Sequence, residues 1–241
     1  MFGLGTIINV GAIIIGGLFG FFVGNKLNER IQDSLNMACG VSVLFIGIAG
    51  TMEYMLTVQN GTVASGKSMF IVIALALGAL IGEILNIEGW FERFGAWLKI
   101  KTGNAKDHLF IDGFVTTSLT VCIGAMAIVG SIQDGILGDY SILATKAILD
   151  LIIVMVMTCS LGKGCIFSAI PVGVFQGSIT LCARLIKPIM TDGALANLSL
   201  VGSILIFCVG LNLVWGKKVR VANLLPAIVI AVIMTFLPLG L

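Results

Sequence analysis

Apolar runs too long for a soluble core recur from one end of this 241-residue chain to the other. A run of about 18 or more apolar residues crosses a bilayer as a helix, which satisfies its own backbone N–H and C=O groups where there is no water. Eight such spans are predicted, at 4–24, 36–57, 68–86, 109–131, 141–161, 164–185, 195–214 and 221–240. "SLGKGC" (160–165) is the only break between the fifth and sixth, so these two form a tight hairpin. The expected fold is all-α, a polytopic membrane protein forming a single integral domain over 1–241. Only 11% of the residues are charged, against about 25% in soluble domains. Thirty-one glycines fit a bilayer setting, where small residues let helices approach closely. The net charge of +2 is too small to argue for nucleic acid, and the partner implied is the lipid bilayer. The first run, Ile7 to Val23, follows Met-Phe without a basic residue or an A-x-A site, as expected of a first span rather than a cleaved signal.

Lysines and arginines divide unequally between the two sets of loops. Lys26, Arg30, Arg93, Lys99, Lys101, Lys106, Lys163, Lys217, Lys218 and Arg220 fall on one side, and Lys67, Lys146, Arg184 and Lys187 on the other. The positive-inside rule makes the ten-charge side cytoplasmic and turns both termini outward. Between spans three and four, "IEGWFERFGAWLKIK" (87–101) puts Ile87, Trp90, Phe91, Phe94, Trp97 and Leu98 on one helical face. Tryptophans flanked by cations suit a helix lying in the headgroup layer, most simply as an anchor that sets tilt. The six cysteines show no paired metal spacing and read as free thiols within apolar runs. No metal and no cofactor is expected.

An internal repeat is readable. "LGTIINVGAIIIGGLFG" (4–20) aligns with "LGKGCIFSAIPVGVFQG" (161–177), and "SLNMACGVSVLFIGI" (34–48) with "NLSLVGSILIFCVGL" (197–211), which sets Gly47 on Gly210. Spans one to three (1–86) then correspond to spans six to eight (162–241), with the helix at 87–101 and the pair at 109–161 between them. Five spans separate the partners, so the two units have opposite topology. That is the common plan of secondary transporters, whose site lies near the midplane where the repeats meet. The alternative is that small residues recur wherever helices pack. Gly16, Gly17, Gly20 and Gly24 make small-xxx-small steps on span one; Pro171, Gly173, Gln176 and Gly177 are the counterparts on span six. Pro171 is expected to interrupt that span. Glycine- or proline-broken spans at corresponding positions point to a transporter site, although a glycine zipper with a harmless kink gives the same pattern.

Polar side chains inside spans are costly and are default functional candidates. Asp112, Thr116, Thr117 and Ser118 lie in span four, and Asn9 lies in span one. "GSIQDGILGDYS" (130–141) is expected to be a short connection, with Gln133, Asp134 and Asp139 at an acidic outer mouth. Lys146 and Asp150 are four residues apart on one face of span five and can neutralise each other. Ser168, Gln176, Ser178 and Thr180 belong to span six. The functional reading is a pathway for an unknown small solute or ion among spans one, four, five and six, in a homodimer. The plainer reading gives Asp134 and Asp139 to a turn, lets Lys146 snorkel, and makes Glu83 interfacial.

"GTVASGKS" (61–68) matches the P-loop pattern at every position. It joins two spans on the outward side, however, and no nucleotide site is expected. Gly61 and Gly66 read as turn residues, Ser65 as a cap for span three, and Lys67 as an interfacial cation.

The block "GFVTTSLTVCIGAMAIVGSIQDGILGDYSILATKAILD" (113–150), with "FSAIPVGVFQGSITL" (167–181), "VGLNLVWGKKVRVANLLPAIVIA" (209–231) and "GTIINVGAIIIGGLFG" (5–20), resembles the bacterial membrane proteins called domain of unknown function 554. The resemblance covers nearly the whole chain. It implies an integral protein of the bacterial cytoplasmic membrane, with no activity, ligand or catalytic role to carry over. The competing functions are a transporter, a channel, a structural or assembly protein, and an enzyme. The last is the poorest fit: His108 is the only histidine, and neither HExxH nor G-x-S-x-G occurs.

Overall fold

The computed structural model describes residues 3–24, 26–59 and 61–237. The helices are α1 (Leu4–Gly24), α2 (Glu29–Met55), α3 (Ser68–Leu85), α4 (Ile87–Lys101), α5 (Phe110–Cys122), α6 (Ala125–Leu137), α7 (Ser141–Leu161), α8 (Ala169–Leu181), α9 (Ala183–Ile186), α10 (Asp192–Trp215) and α11 (Pro226–Met234). Two 3₁₀ turns, Lys163–Ser168 and Val221–Leu224, lead into α8 and α11. Among the described residues, six helical segments are long and apolar enough to cross a membrane, and the bent pair α5–α6, counted as one span, is a seventh candidate. Val221–Met234 is a shorter apolar helix, and residues 238–240 of the last predicted span lie outside the described residues.

Most boundaries follow the apolar runs, and three departures have physical causes. Helix α2 begins at Glu29, seven residues before its apolar run, because Asn28 caps it by accepting the Ile31 N–H at 2.9 Å. The predicted fourth span is broken. Ile123 is extended and Gly124 has φ +155°, so α5 and α6 meet at 63°. Helix α6 then continues through Ser131, Gln133 and Asp134 to Leu137, where Gly138 in the left-handed conformation ends it. The expected connection at 130–141 is therefore mostly helix. Pro171 lies in the first turn of α8, just after the 3₁₀ turn, where a proline costs little. It marks the change of helix type rather than an interior kink.

Close backbone contacts hold the bundle together. Added Cβ atoms at Gly16 and Gly20 would lie 2.4 and 2.2 Å from the carbonyl oxygens of Leu151 and Met155; one at Gly24 would lie 2.8 Å from the Cys159 Cα. Both series advance by four residues, so α1 and α7 run parallel along a glycine seam. Such seams substitute for hydrophobic drive in lipid. Gly47 meets Phe207, and Gly210 meets Leu44, where α2 crosses α10 in antiparallel fashion. Gly78 and Gly82 approach Ala227 and Asn223 on the α3–α11 side. All six cysteines are free; Cys39, Cys159 and Cys165 are buried and Cys182 is exposed.

Two ends of the bundle are tied by polar contacts. At the lysine- and arginine-rich end, Lys217 bridges Glu88 at 2.7 Å and also Glu92, and Arg220 pairs with Glu83 at 3.1 Å. Glu83 thus has a structural partner at the edge of α3. At the other end, Lys67 donates to Asn197 Oδ1 at 2.9 Å and Asn197 donates to Thr235 at 3.0 Å. Leu56–Gln59 and Thr62–Ser65 (β1 and β2) form an antiparallel hairpin whose second strand is exposed, so the P-loop match lacks the buried parallel strand that a nucleotide site needs. Lys67, with φ 62°, occupies the cap position of α3 in place of the expected Ser65, which ends β2. Helix α4 keeps its predicted bounds. Trp90 and Trp97 are exposed, Phe94 packs on Phe114 with ring centroids 5.8 Å apart, and Leu98 is buried.

Candidate functional site

The densest buried polar group lies among α1, α6, α7 and α8. Lys146 Nζ contacts the two Asp150 carboxylate oxygens at 2.7 and 2.5 Å, and Asn9 Nδ2 donates to Oδ2 at 3.0 Å. Lys146 is 7% exposed, Asp150 3% and Asn9 0%, so Lys146 does not snorkel to the surface. Asp150 stands nine residues into α7, about 14 Å along the axis at 1.5 Å per residue, close to half of a hydrocarbon core about 30 Å thick. An i, i+4 lysine–aspartate pair closes locally on one helix face. Its burial comes from α1, which the glycine seam brings close enough for Asn9 to reach across.

Four further polar groups complete this region. Thr6 Oγ1, Ser131 Oγ, Thr180 Oγ1 and both amide atoms of Gln176 are buried without a hydrogen-bond partner among the described residues, as is Asn9 Oδ1. Gly17 lies against Ile166 and Gly173 against Val10, an antiparallel register that brings Gln176 opposite the first turns of α1. The Thr180 carbonyl lies against Gly135 of α6. An unmet buried amide or hydroxyl costs about 1–3 kcal/mol, and bundles normally avoid it. Helix α6, which begins after the break, packs on the same region: Gly130 lies against Leu143, about one turn before Lys146. Ending one helix and starting another inside a bilayer frees backbone groups that protein, water or a ligand must satisfy.

The other predicted residues separate from this group. Asp134 is fully buried instead of forming a mouth, and it accepts the Gly3 and Gly5 N–H groups at 3.2 and 3.0 Å. It sits at the positive end of the α1 dipole. Asp139 is exposed, and the Ser141 hydroxyl and N–H beside it hold its carboxyl below the usual range. Gly16 and Gly20 face the α7 backbone, and Gly17 faces Ile166, which fills the space next to them. Ser118 is buried but turns back to the Phe114 carbonyl at 2.6 Å, and Ser178 is exposed. Gln133 lines a small cavity with Lys187 and Met190.

Asp112 and Thr116 line a different cavity, of about 340 Å³, toward the lysine- and arginine-rich end between α2, α4, α5 and α10. Thr116 and Gln176 therefore do not share one chamber. Two residues here are not marked as site candidates by their sequence pattern. They are Glu88, only 5% exposed, and Asn36. Glu88 was legible only as part of an amphipathic helix, and its burial depends on the 216–220 loop folding over it. Partial burial tends to lower the Lys217 pKa, but the hydrogen bonds and charges of Glu88 and Glu92 outweigh it and hold the ammonium above the ordinary lysine value. Among the described residues, no group of three or more His, Cys, Asp or Glu side chains is arranged to hold a metal ion.

Comparison with known proteins gives a family and no assigned chemistry. The chain is 32% identical over 236 residues to the uncharacterized protein YqgA of Escherichia coli (strain K12), covering 95% of this chain and 94% of that one. It is 30% identical over 232 residues to the uncharacterized membrane protein YdfK of Bacillus subtilis (strain 168), covering 96% and 95%. No solved structure matches the chain. The family model described as "protein of unknown function (DUF554)" matches residues 4–236, from the first turn of α1 to just past α11, and the chain belongs to that family.

Proposed function

We propose that this chain is a transporter of a small solute or ion, working through the polar group among α1, α6, α7 and α8. One observation carries the reading. The Lys146–Asp150–Asn9 cluster and the unpartnered Gln176 amide are buried at bilayer depth beside a broken helix. Ionisable groups inside membranes are rare and mark pathways, and broken helices in transporters present free backbone groups to substrates and ions. A structural or assembly protein needs neither.

This reading takes the two halves as an inverted repeat working by alternating access. The alignment that sets Gly47 on Gly210 also sets Leu44 on Phe207, and these two close contacts of the α2–α10 crossing exchange under it. The same alignment sets Gly40 on Ser203 and Gly50 on Leu213, and Gly40 meets Leu213 while Gly50 meets Ser203. In this reading the bent α5–α6 pair and the Val221–Met234 helix each cross once, giving eight crossings. Both termini then face outward from the bacterial cytoplasmic membrane, with the ten-charge face inside.

The test is flux in proteoliposomes of the full-length protein, screened with protons, sodium, potassium and chloride and with panels of small amines, acids and sugars. Asp150→Asn and Gln176→Leu are assayed beside the parent. Loss of a parental flux in both variants, with folding retained, is the expected result. Unchanged flux in both removes this cluster from the pathway.

A further inference from the structure

The cavity of about 340 Å³ near the lysine- and arginine-rich end is separate from the buried cluster and carries its own chemistry. Its polar lining can be counted by hydrogen-bonding capacity. The Asn212 oxygen is fully committed, accepting the Lys218 and Val219 N–H groups, each at 2.9 Å, and one of the side chain's two N–H groups donates to the Val219 carbonyl at 2.7 Å. It shapes the wall and offers little to a ligand. Lys217 is held by Glu88 and Glu92.

Among the lining residues, the side-chain atoms that are buried without a partner are both acceptors. Glu88 spends Oε1 on Lys217, while Oε2 is buried with no partner among the described residues. Asn36 donates to the Leu213 carbonyl at 3.3 Å, and its Oδ1 is likewise buried and unpartnered. The Asp112 carboxylate, in the first turn of α5, has no partner among the described residues. Glu88, Asp112 and Asn36 therefore line one space together with Val115, Leu119 and Leu213. The volume lies in the range of small-molecule sites, about 300–1,000 Å³.

We infer that this cavity binds a small organic ammonium ion, its nitrogen held by Glu88, Asp112 and Asn36 and its apolar body against the valine and leucines. A primary ammonium has three donors and no acceptor, which matches three free acceptors. Hydrogen bonds in which both partners are ionised are the short, strong ones. A bare calcium ion takes about six to eight oxygen ligands and has no use for the apolar wall. An anion meets two carboxylates. The site goes beyond the transport reading and binds its ligand whether or not the chain moves anything.

The test uses full-length protein in phosphatidylcholine nanodiscs, titrated calorimetrically with n-butylammonium chloride. 1-Butanol and sodium butyrate serve as neutral and anionic matches, and calcium chloride as the inorganic cation. Saturable binding of butylammonium alone is expected, with Kd raised at least about tenfold by Asp112→Asn and by Asn36→Ala. Glu88→Gln risks loosening the Lys217 loop, but Asp112 is exposed and unpartnered, so its substitution leaves the fold intact. Butylammonium that fails to saturate, butanol that binds equally well, calcium that binds in place of the amine, or a Kd indifferent to Asp112→Asn each overturns the assignment. No transport is needed for binding in nanodiscs, so this result and the proteoliposome flux are read independently.

Discussion

Replacing Lys146 with methionine strands the Asp150 carboxylate, 3% exposed, with Asn9 as its remaining partner. Breaking a buried ion pair by removing one member costs about 3–5 kcal/mol, because an uncompensated charge stays behind. The double variant Lys146→Met/Asp150→Leu removes both charges and leaves only the Asn9 amide unmet, a penalty of about 1–3 kcal/mol. The double variant is therefore expected to be about 2 kcal/mol more stable than the single one. At about 2–4 °C per kcal/mol for a chain of this size, the single variant melts roughly 10 °C lower and the double recovers about half of that. The readout is reaction of Cys39, Cys159 and Cys165, all buried, with a thiol-reactive fluorophore as the protein unfolds. Cys182→Ser removes the exposed thiol beforehand. A double variant as unstable as the single one would refute the reasoning, since no charge would then have been stranded.

Two other expectations come from the seam and the cap. Gly20→Leu drives a side chain into the Met155 carbonyl, 2.2 Å from the added Cβ, and is expected to cost about 3 kcal/mol or more; the same thermal assay reads it. Gly11→Ala, with open space around it, serves as the neutral control. Asp134→Asn weakens the two bonds to the Gly3 and Gly5 N–H groups and is expected to destabilise the start of α1 by about 1–2 kcal/mol. Hydrogen exchange should then quicken at those amides and leave α10 unchanged; uniform protection across α1 in the variant would count against the cap.

Single-chain patterns captured the helices but not the partners of their polar groups. α1, α3 and α7 begin and end within a residue of their predicted bounds, because hydropathy reports bilayer crossing directly, and α4 keeps the bounds its amphipathic pattern gave. The α5–α6 break was invisible because "VCIGAMAIVGSI" has no proline and only ordinary glycines, and a positive φ at Gly124 leaves no hydropathy signal. Lys146–Asp150 was legible from its spacing; that Asn9 would join it was not, since the contact joins residues 141 positions apart. Asp134 misled for a related reason. Next to glycines it reads as a turn, but its destination was the N-terminus of a helix 129 residues away. The glycines of α1 were noticed for a pathway, and they serve instead to bring Asn9 within reach of Asp150.

The central claim is that the Gln176 region is a route for solute, and water must then reach it in some state of the protein. Gln176→Cys, in a variant lacking the native cysteines, is reconstituted into proteoliposomes and treated from each side with a membrane-impermeant thiosulfonate. Val174→Cys, 68% exposed on the outer face of α8, is the control, since a thiol in lipid stays unionised and unreactive. A pathway predicts modification at 176 from at least one side, slowed by a transported solute, with position 174 unreactive. A cysteine at 176 that stays unmodified from both sides under every solute condition contradicts the account.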